Sequence, residues 1–379
     1  MSLTTSHRTW GSLVESAKRT AFRGLVADWR GDVRLEEGYT ILLPSPMDMP
    51  FLLRLGLEGL SRVNTEHCRQ IVIVPDGWGD DGAAALRAVA SEFNDPRIEF
   101  VDLRRRDYWL IRSMRPPGSA ATHWMQVVNG TRRARCEYAF LHDADAFFLE
   151  EEGLERQYQE ARRRGMKTLG VTARWDPFFT ELDYKIPGTW ELMYSVRWAR
   201  SRHPYELKGR RLPTPHGRHT FDSMLYPQYL DYASGEIGVT ESPPEFVHFN
   251  GTIFTYRLFR DSRQTTVCDD FFRLLLLALL SDAVDPKGAM RTVPQVSDLA
   301  AGLTDQRARV RYDSPTCIQQ YPVFRELLEQ LCDTPMIRRL PEDSIRRSVA
   351  PFDKHFDWSP EFKANATETA PVMRVSGLG

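Results

Sequence analysis

The chain has 379 residues, 42% of them hydrophobic and 27% charged, with Gly and Pro at 24 each, which allows a sizeable core and excludes collagenous, disordered and disulfide-scaffold classes. Fifty basic residues against 51 acidic ones leave a net charge of −1, a balance that argues against a dedicated nucleic-acid binder. One core usually organises about 100 to 200 residues, so two or three domains are expected.

Cys68, Cys136, Cys268, Cys317 and Cys332 are odd in number, lie far apart and show no zinc-like spacing, which suits a reducing cytoplasm. The N-terminus lacks the apolar stretch of a signal peptide. The longest apolar run, Leu274 to Leu280, has seven residues where a bilayer needs roughly 20, so no integral membrane segment is expected.

Trp10, Leu13, Val14, Ala17, Ala21 and Leu25 recur at helical spacing and predict a helical extension over residues 1–38. From Tyr39 short β-rich runs alternate with helical ones, the pattern of an α/β fold with a mainly parallel sheet flanked by helices. Strands are predicted at Tyr39–Leu43, Gln70–Val74, Arg97–Val101 and from Glu137 to Leu141, with helices at Phe51–Val63, Ala83–Phe93 and Ala120–Arg135 between them. Asp48 is positioned to cap the first of these helices, with Pro50 in its first turn.

Glu151–Arg164 then reads as a charged surface helix and Met166–Thr172 as a strand. Residues 173–244 are aromatic, Pro-rich and weakly periodic, an irregular insertion of the kind that shapes a substrate pocket. Glu245–Thr255 resumes a strand, interrupted at Asn250-Gly251 by a bulge or a close backbone approach. Beyond Asp261 the pattern is helical, clearest at Phe271–Leu280 and Tyr321–Leu331, and the last residues form a loose tail. The organisation expected is an extension (1–38), a catalytic domain (39–260, with halves 39–150 and 151–260) and a C-terminal helical region (261–379).

The chemistry concentrates at Asp143-Ala144-Asp145, which directly follows the apolar run Tyr138–Leu141 with only His142 between. Open α/β sheets bind ligands outside the carboxyl ends of their strands. Two carboxylates spaced i, i+2 at such an end can turn toward one hard cation, Mg2+ or Mn2+. An Asp pair in a solvated turn is the plain alternative, but the apolar flanks here bury the motif's neighbours while presenting its acids.

These residues resemble the nucleotide-sugar glycosyltransferases of the GT-A fold, in particular those similar to family 2. Leu43-Pro-Ser-Pro-Met-Asp48 looks like their nucleotide-contacting first loop, Val74-Pro-Asp-Gly77 resembles their Val-Asp-Asp-Gly turn with one acid fewer, and a helix carrying Asn129-Gly130 precedes the DxD strand as it does there. The resemblance spans residues 39 to about 260, and the absence of a Gln-x-x-Arg-Trp motif argues for transfer of a single sugar. It implies a nucleoside diphosphate sugar donor contacted by Pro44, Ser45, Asp76, Asp143 and Asn250, a hydroxyl-bearing acceptor, and a Mn2+ or Mg2+ ion held by Asp145 with Asp143.

His248-Phe-Asn-Gly251 is similar to the Phe-Asn-(Ser/Ala)-Gly strand of retaining GT-A enzymes such as family 8, which implies that His248 completes the metal shell; a core histidine on a strand is the bland alternative. His142, His216 and His219 are weaker candidates of the same kind. An inverting reaction needs a carboxylate base on the acceptor side, and Asp222 is the choice, with Glu241, Asp176 and Asp183 as rivals and a helix cap as its structural alternative. The basic and aromatic stretch from Arg197 to Arg211 offers Trp198 and Tyr205 as sugar platforms and its arginines as anion contacts, or simply a charged helix. A phosphatase of the HAD type, which also uses an Asp-x-Asp pair, is the competing function.

Overall fold

The computed structural model describes residues 34–77, 80–107, 119–172, 176–243, 245–261, 271–284, 294–337 and 340–359, with isolated positions at 16, 17, 20, 29, 266 and 267. The extension expected over 1–38 and the C-terminal tail lie almost wholly outside the described residues, as do Trp175 and Cys268.

In chain order the first half comprises β1 (Glu36–Ser45), α1 (Pro50–Leu60), β2 (Cys68–Pro75), α2 (Asp80–Ser91), β3 (Ile98–Phe100), α3 (Ser119–Arg133), β4 (Cys136–His142), β5 (Ala146–Phe148), α4 (Gly153–Arg164) and β6 (Thr168–Thr172). There follow α5 (Pro177–Glu181), β7 (Pro187–Ser195), α6 (Val196–Ser201), the hairpin β8 (Arg210–Thr214) and β9 (Gly217–Phe221), α7 (Leu225–Asp231), β10 (Ile237–Val239), β11 (Phe246–His248) and α8 (Thr252–Asp261). The C-terminal part contains β12 (Thr266–Val267), α9 (Phe271–Val284), α10 (Val296–Ala301), β13 (Val310–Arg311), α11 (Pro315–Asp333) and α12 (Glu342–His355).

Seven strands form one sheet in the order β10-β6-β7-β4-β1-β2-β3, in which β7 alone runs antiparallel to both of its neighbours. The expected mainly parallel α/β architecture is thus observed. Both faces of the sheet are covered, because the central strands are apolar on both sides of their pleat. Tyr39, Ile41, Leu43, Ile71, Ile73 and Phe140 point to one face, where α1, α2, α4, α9, α11 and α12 supply the facing side chains. Their neighbours Leu42, Val72, Val74, Ala139 and Leu141 point to the other, against α3, α6 and the segment around β9 and α7. The period-2 alternation of a strand sorts a single run such as Tyr39–Leu43 into two cores. At Gly130 a Cβ would stand 3.1 Å from Leu42 Cδ1 and 3.4 Å from Val74 Cγ2, so the glycine sets how closely α3 lies on the sheet.

Three expectations are corrected. Residues 173–244 are not an irregular insertion: they contribute β7, a central strand beside the DxD strand, whose burial is nearly continuous and therefore shows no alternation to read. The strand expected to run to Thr255 stops at His248, and Asn250 (φ +28°) and Gly251 (φ +75°) turn the chain into α8. Asp48 does not cap α1: Met49 occupies the N-cap position and provides no side-chain cap, and the Asp48 carboxylate pairs with Arg257 and Arg260 at 2.8 and 2.7 Å. No helix among the described residues is long and apolar enough to cross a membrane.

Candidate active site

The carboxyl ends of β1, β2 and β4 open onto a cavity of about 230 Å3. Pro44 and Pro46 from the end of β1, Asp76 from β2, Asp143 and Asp145 beyond β4, Asp222, and Asn250 with Gly251 before α8 all line it. The expected site residues therefore meet in one place, with two qualifications. Ser45 is buried and donates its hydroxyl to the Leu43 carbonyl at 3.0 Å, so it supports the end of β1 rather than the cavity wall. His248 stands behind the two aspartates rather than on the rim, with its side chain 8% exposed.

The turn after β4 is built by its own backbone: Ala146 N–H donates to the Asp143 carbonyl, and the short strand β5 that follows pairs antiparallel with β11, setting His248 opposite Ala146. That pairing carries the imidazole to the acids. His248 Nε2 lies 3.4 Å from Asp145 Oδ1 and 3.8 Å from Asp143 Oδ2, and one ligating atom from each of the three residues falls within 4.8 Å of the others. Trp190 stacks on the His248 ring at 4.8 Å and fixes its plane. Asp145 is buried and accepts the Thr252 N–H at the start of α8 at 3.2 Å, a helix N-terminus that favours negative charge.

The charges adjust to one another. Burial pushes the Asp145 carboxyl upward, but the approach of the His248 imidazole and its charge, with the Thr252 N–H, hold it below the usual carboxylate range. Burial likewise opposes protonation of His248, and Asp145 and Asp143 outweigh it, so the imidazole titrates above its ordinary value. His248 Nε2 is a buried atom with no hydrogen-bond partner at normal geometry, facing two carboxylates across a gap. Two carboxylate oxygens and an imidazole nitrogen around such a gap are a donor set suited to a small divalent cation, Mg2+ or Mn2+. The residues fit the ion that the resemblance implies.

Behind the site, His142 and Glu191 form a buried pair across β4 and β7, Nδ1 to Oε1 at 2.5 Å, and the His142 ring stacks on Phe148 at 4.7 Å. His142 is thus bound to a carboxylate beneath the aspartates. Asp76 accepts the Met47 N–H at 3.0 Å and bonds Arg257, so both of its oxygens are engaged at the cavity wall. Burial works against the charge on Arg257, but Asp76 and Asp48 raise its pKa and keep it a cation.

Asp222 accepts the Ser223 N–H at 2.7 Å and caps no helix, since α7 begins after Met224. Enclosure by protein atoms raises its pKa, with Asp143 and Asp176 adding to the rise and His123 opposing it; one side of the residue is open to solvent, which tempers the effect. Its rivals are committed elsewhere. Asp176 caps α5 and pairs with His219 at 2.8 Å, Glu241 pairs with Arg163 at 3.4 Å on the surface, and exposed Asp183 sits in a turn at φ +52°. Trp198 and Tyr205 are buried core residues, not platforms; Arg200 donates to the carbonyls of Thr131, Arg132 and Ala134 at the end of α3.

Among the cavity residues that the sequence reading did not single out are His123 and Gln126 on α3 and Arg257 on α8, with Thr122, Ile253 and Phe254 beside them. His123 and Gln126 are spaced i, i+3 and share a helix face, while Trp124 and Val128 pack into the core, so a polar pair inside an amphipathic helix was the available signal. Arg257 falls just past the strand expected at Glu245–Thr255, where one arginine carries no spacing signal.

No protein-family model matches the chain, and no curated protein matches it. It resembles several solved structures. A mannosyltransferase from Pyrobaculum calidifontis in complex with GDP-Man and Mn2+ is 14% identical over 90% of this chain and 97% of its own, at a TM-score of 0.38. S. aureus TarS (residues 1–349) is 11% identical over 84% of this chain and 89% of its own, at 0.37. Glucosyl-3-phosphoglycerate synthase from Mycobacterium tuberculosis is 13% identical over 68% of this chain and 83% of its own, also at 0.37. Identity and overlap at this level leave the chemistry to the pocket's own residues.

Proposed function

We propose that this chain is a metal-dependent glycosyltransferase of the GT-A type that moves one sugar from a nucleoside diphosphate sugar to an acceptor hydroxyl. The observation that carries this reading is the meeting of Asp143, Asp145 and His248 at the carboxyl ends of β1, β2 and β4, with Asp222 in the wall of the same cavity. Asp143, Asp145 and His248 would hold Mn2+ or Mg2+, which when bound neutralises the donor's diphosphate and stabilises it as a leaving group. The proline-rich end of β1 and the Asp76–Arg257 pair frame the nucleoside side, and the positive-φ backbone at Asn250 and Gly251 lets the chain pass close to the donor sugar.

Asp222 serves as the base of an inverting reaction. Its carboxylate takes the proton of the acceptor hydroxyl as that oxygen bonds the anomeric carbon. The carbon's bond to the phosphate oxygen breaks, and its electron pair leaves with the nucleoside diphosphate. The acceptor side is electropositive. Lys208, Arg210, Arg211 and Arg218 fall between residues 207 and 221 with no acid among them. The register of the hairpin puts exposed Arg211 and Arg218 on one face, away from Leu212 and Phe221. Gly209 packs against the backbone of Asp222, so this hairpin rises from beside the proposed base, and an acceptor bearing an anionic group suits it.

A cytoplasmic site of action belongs to this reading and is supported by Cys68, Cys136 and Cys332, which form no disulfide among the described residues. Nothing in the cavity favours the phosphatase alternative. Thermal melting with UDP, GDP or dTDP tests the proposal: a nucleotide should raise the melting temperature when Mn2+ is present, and Asp145→Asn should abolish the rise. Release of phosphate from a simple monoester, with no response to any nucleotide, would overturn it.

A further inference from the structure

Asp143 is flanked by two imidazoles. On one side is His248, 3.8 Å from Oδ2; on the other is His123, whose Nε2 stands 3.5 Å from Oδ1. His123 Nε2 is itself buried and makes no hydrogen bond at normal geometry, although Asp143, Asp145 and Asp222 all bear on it electrostatically. An imidazole N–H aimed at a carboxylate oxygen, in a wall where polar groups otherwise find partners, is costly unless it completes an interaction.

The helix explains why the ring stays there. Trp124 is fully buried and donates its Nε1–H to the Pro204 carbonyl at 2.9 Å, and Gln126 Nε2 donates to the Val74 carbonyl at 2.6 Å, so α3 is pinned on both sides of the turn that carries His123. The backbone that carries His123 is thereby held beside Asp143, on a helix packed along β1 and β2. The Asp143 side chain, by contrast, is 27% exposed, and its carboxylate accepts no hydrogen bond at normal geometry among the described residues. Left alone, a carboxylate on a turn samples several rotamers, and ordering it on metal binding costs affinity.

Resting on the metal-site reading above, we infer that His123 is a positioning residue for the cation: its Nε2–H holds Oδ1 of Asp143, which leaves Oδ2 turned toward His248 and Asp145 as the ligating atom. The arrangement is the carboxylate counterpart of a metal-bound histidine oriented by an outer acid, and removing such outer partners typically costs about 10- to 100-fold in metal affinity.

Mn2+ binding measured by electron paramagnetic resonance, with Mn2+ alone and again with UDP or GDP, tests this without any acceptor or turnover. His123→Ala should weaken Mn2+ binding by about 10- to 100-fold. His123→Gln, which keeps an N–H donor at a similar reach, should recover most of the loss. Melting curves taken in EDTA should be alike for both variants, since the effect lies in the site and not in the packing of α3. If His123→Ala binds Mn2+ as the unaltered protein does while Asp145→Asn does not, the role of His123 is overturned and the metal site stands. If the Gln variant binds as poorly as the Ala variant, the hydrogen bond is not the cause and the inference fails. An unaltered protein that takes up no Mn2+ under either condition overturns the metal site and this inference together.

Discussion

At the scale of single residues, the site works by giving similar carboxylates different surroundings. Asp145 is enclosed, bonded to a helix N-terminus and faced by an imidazole, which suits a group that must stay ionised against a cation. Asp222 is less anchored: its carboxylate accepts one backbone N–H and the residue is open to solvent on one side, while neighbouring protein atoms, Asp143 and Asp176 draw its pKa upward, which suits the proposed role of taking a proton. Asp222→Asn should therefore leave Mn2+-dependent nucleotide binding intact and lower transfer by about 10^2- to 10^4-fold, read as kcat with KM for the donor little changed. Turnover at the unaltered rate would assign the base to another group. Asp143 and Asp145 were legible because they end an apolar strand, and Asp222 because it follows a stretch rich in Pro, Gly and His. His123 was not, because a single polar residue in a helix gains meaning only when a neighbour from another strand is placed against it.

At the scale of elements, two junctions matter most. The first is the turn from β11 into α8, where Gly251 adopts φ +75° so that the Thr252 N–H can reach Asp145. Gly251→Ala meets no close atom, so its penalty is conformational, roughly 1 to 2 kcal/mol for a left-handed alanine. Chemical denaturation should show that loss, and Mn2+ affinity should fall with it. The second is the tie between α6 and α7, in which Trp198 Nε1–H donates to Asp231 at 2.7 Å and Arg202 pairs with the same carboxylate. Burial pushes Asp231 up, but Arg202 and Trp198 hold it below the ordinary value. A depressed folded-state pKa means that the stabilisation is present above the unfolded pKa of about 3.9 and is lost as the pH falls through the folded value. Asp231→Asn should accordingly lower the melting temperature at pH 7, and the gap to the unaltered protein should close in acid. A gap that persists at low pH would mean that packing, not charge, is what the substitution removes.

At the scale of the whole molecule, the C-terminal helices are not an appendage. Leu274 to Leu280 of α9 and Phe324 and Leu328 of α11 belong to the same buried cluster as Ile41, Ile73 and Phe140 of the sheet. Arg62 at the end of α1 donates to the Met336 carbonyl at 2.7 Å, so polar contacts cross the same boundary. A chain ending at residue 261 would strip α9, α11 and α12 from the face they share with α1, α2 and α4, at about 25 cal/mol for each Å2 of apolar surface exposed. Such a truncation should be insoluble or molten, judged by lost near-ultraviolet circular dichroism; a cooperative melt would show instead that residues 39–260 fold alone.

The order of the first four parallel strands, the helices between them and the placing of two acids at a strand end are local properties. They follow from apolar periodicity, turn residues and the two-sided burial of central strands, all of which are written in consecutive residues. The place of β7 in the sheet, the end of β11, the pairing of Asp48 with α8 and the approach of His123 and His248 to Asp143 are decided only by packing. Each joins residues far apart in the chain, and an interaction whose energy depends on a distant partner leaves no periodic trace in either segment alone.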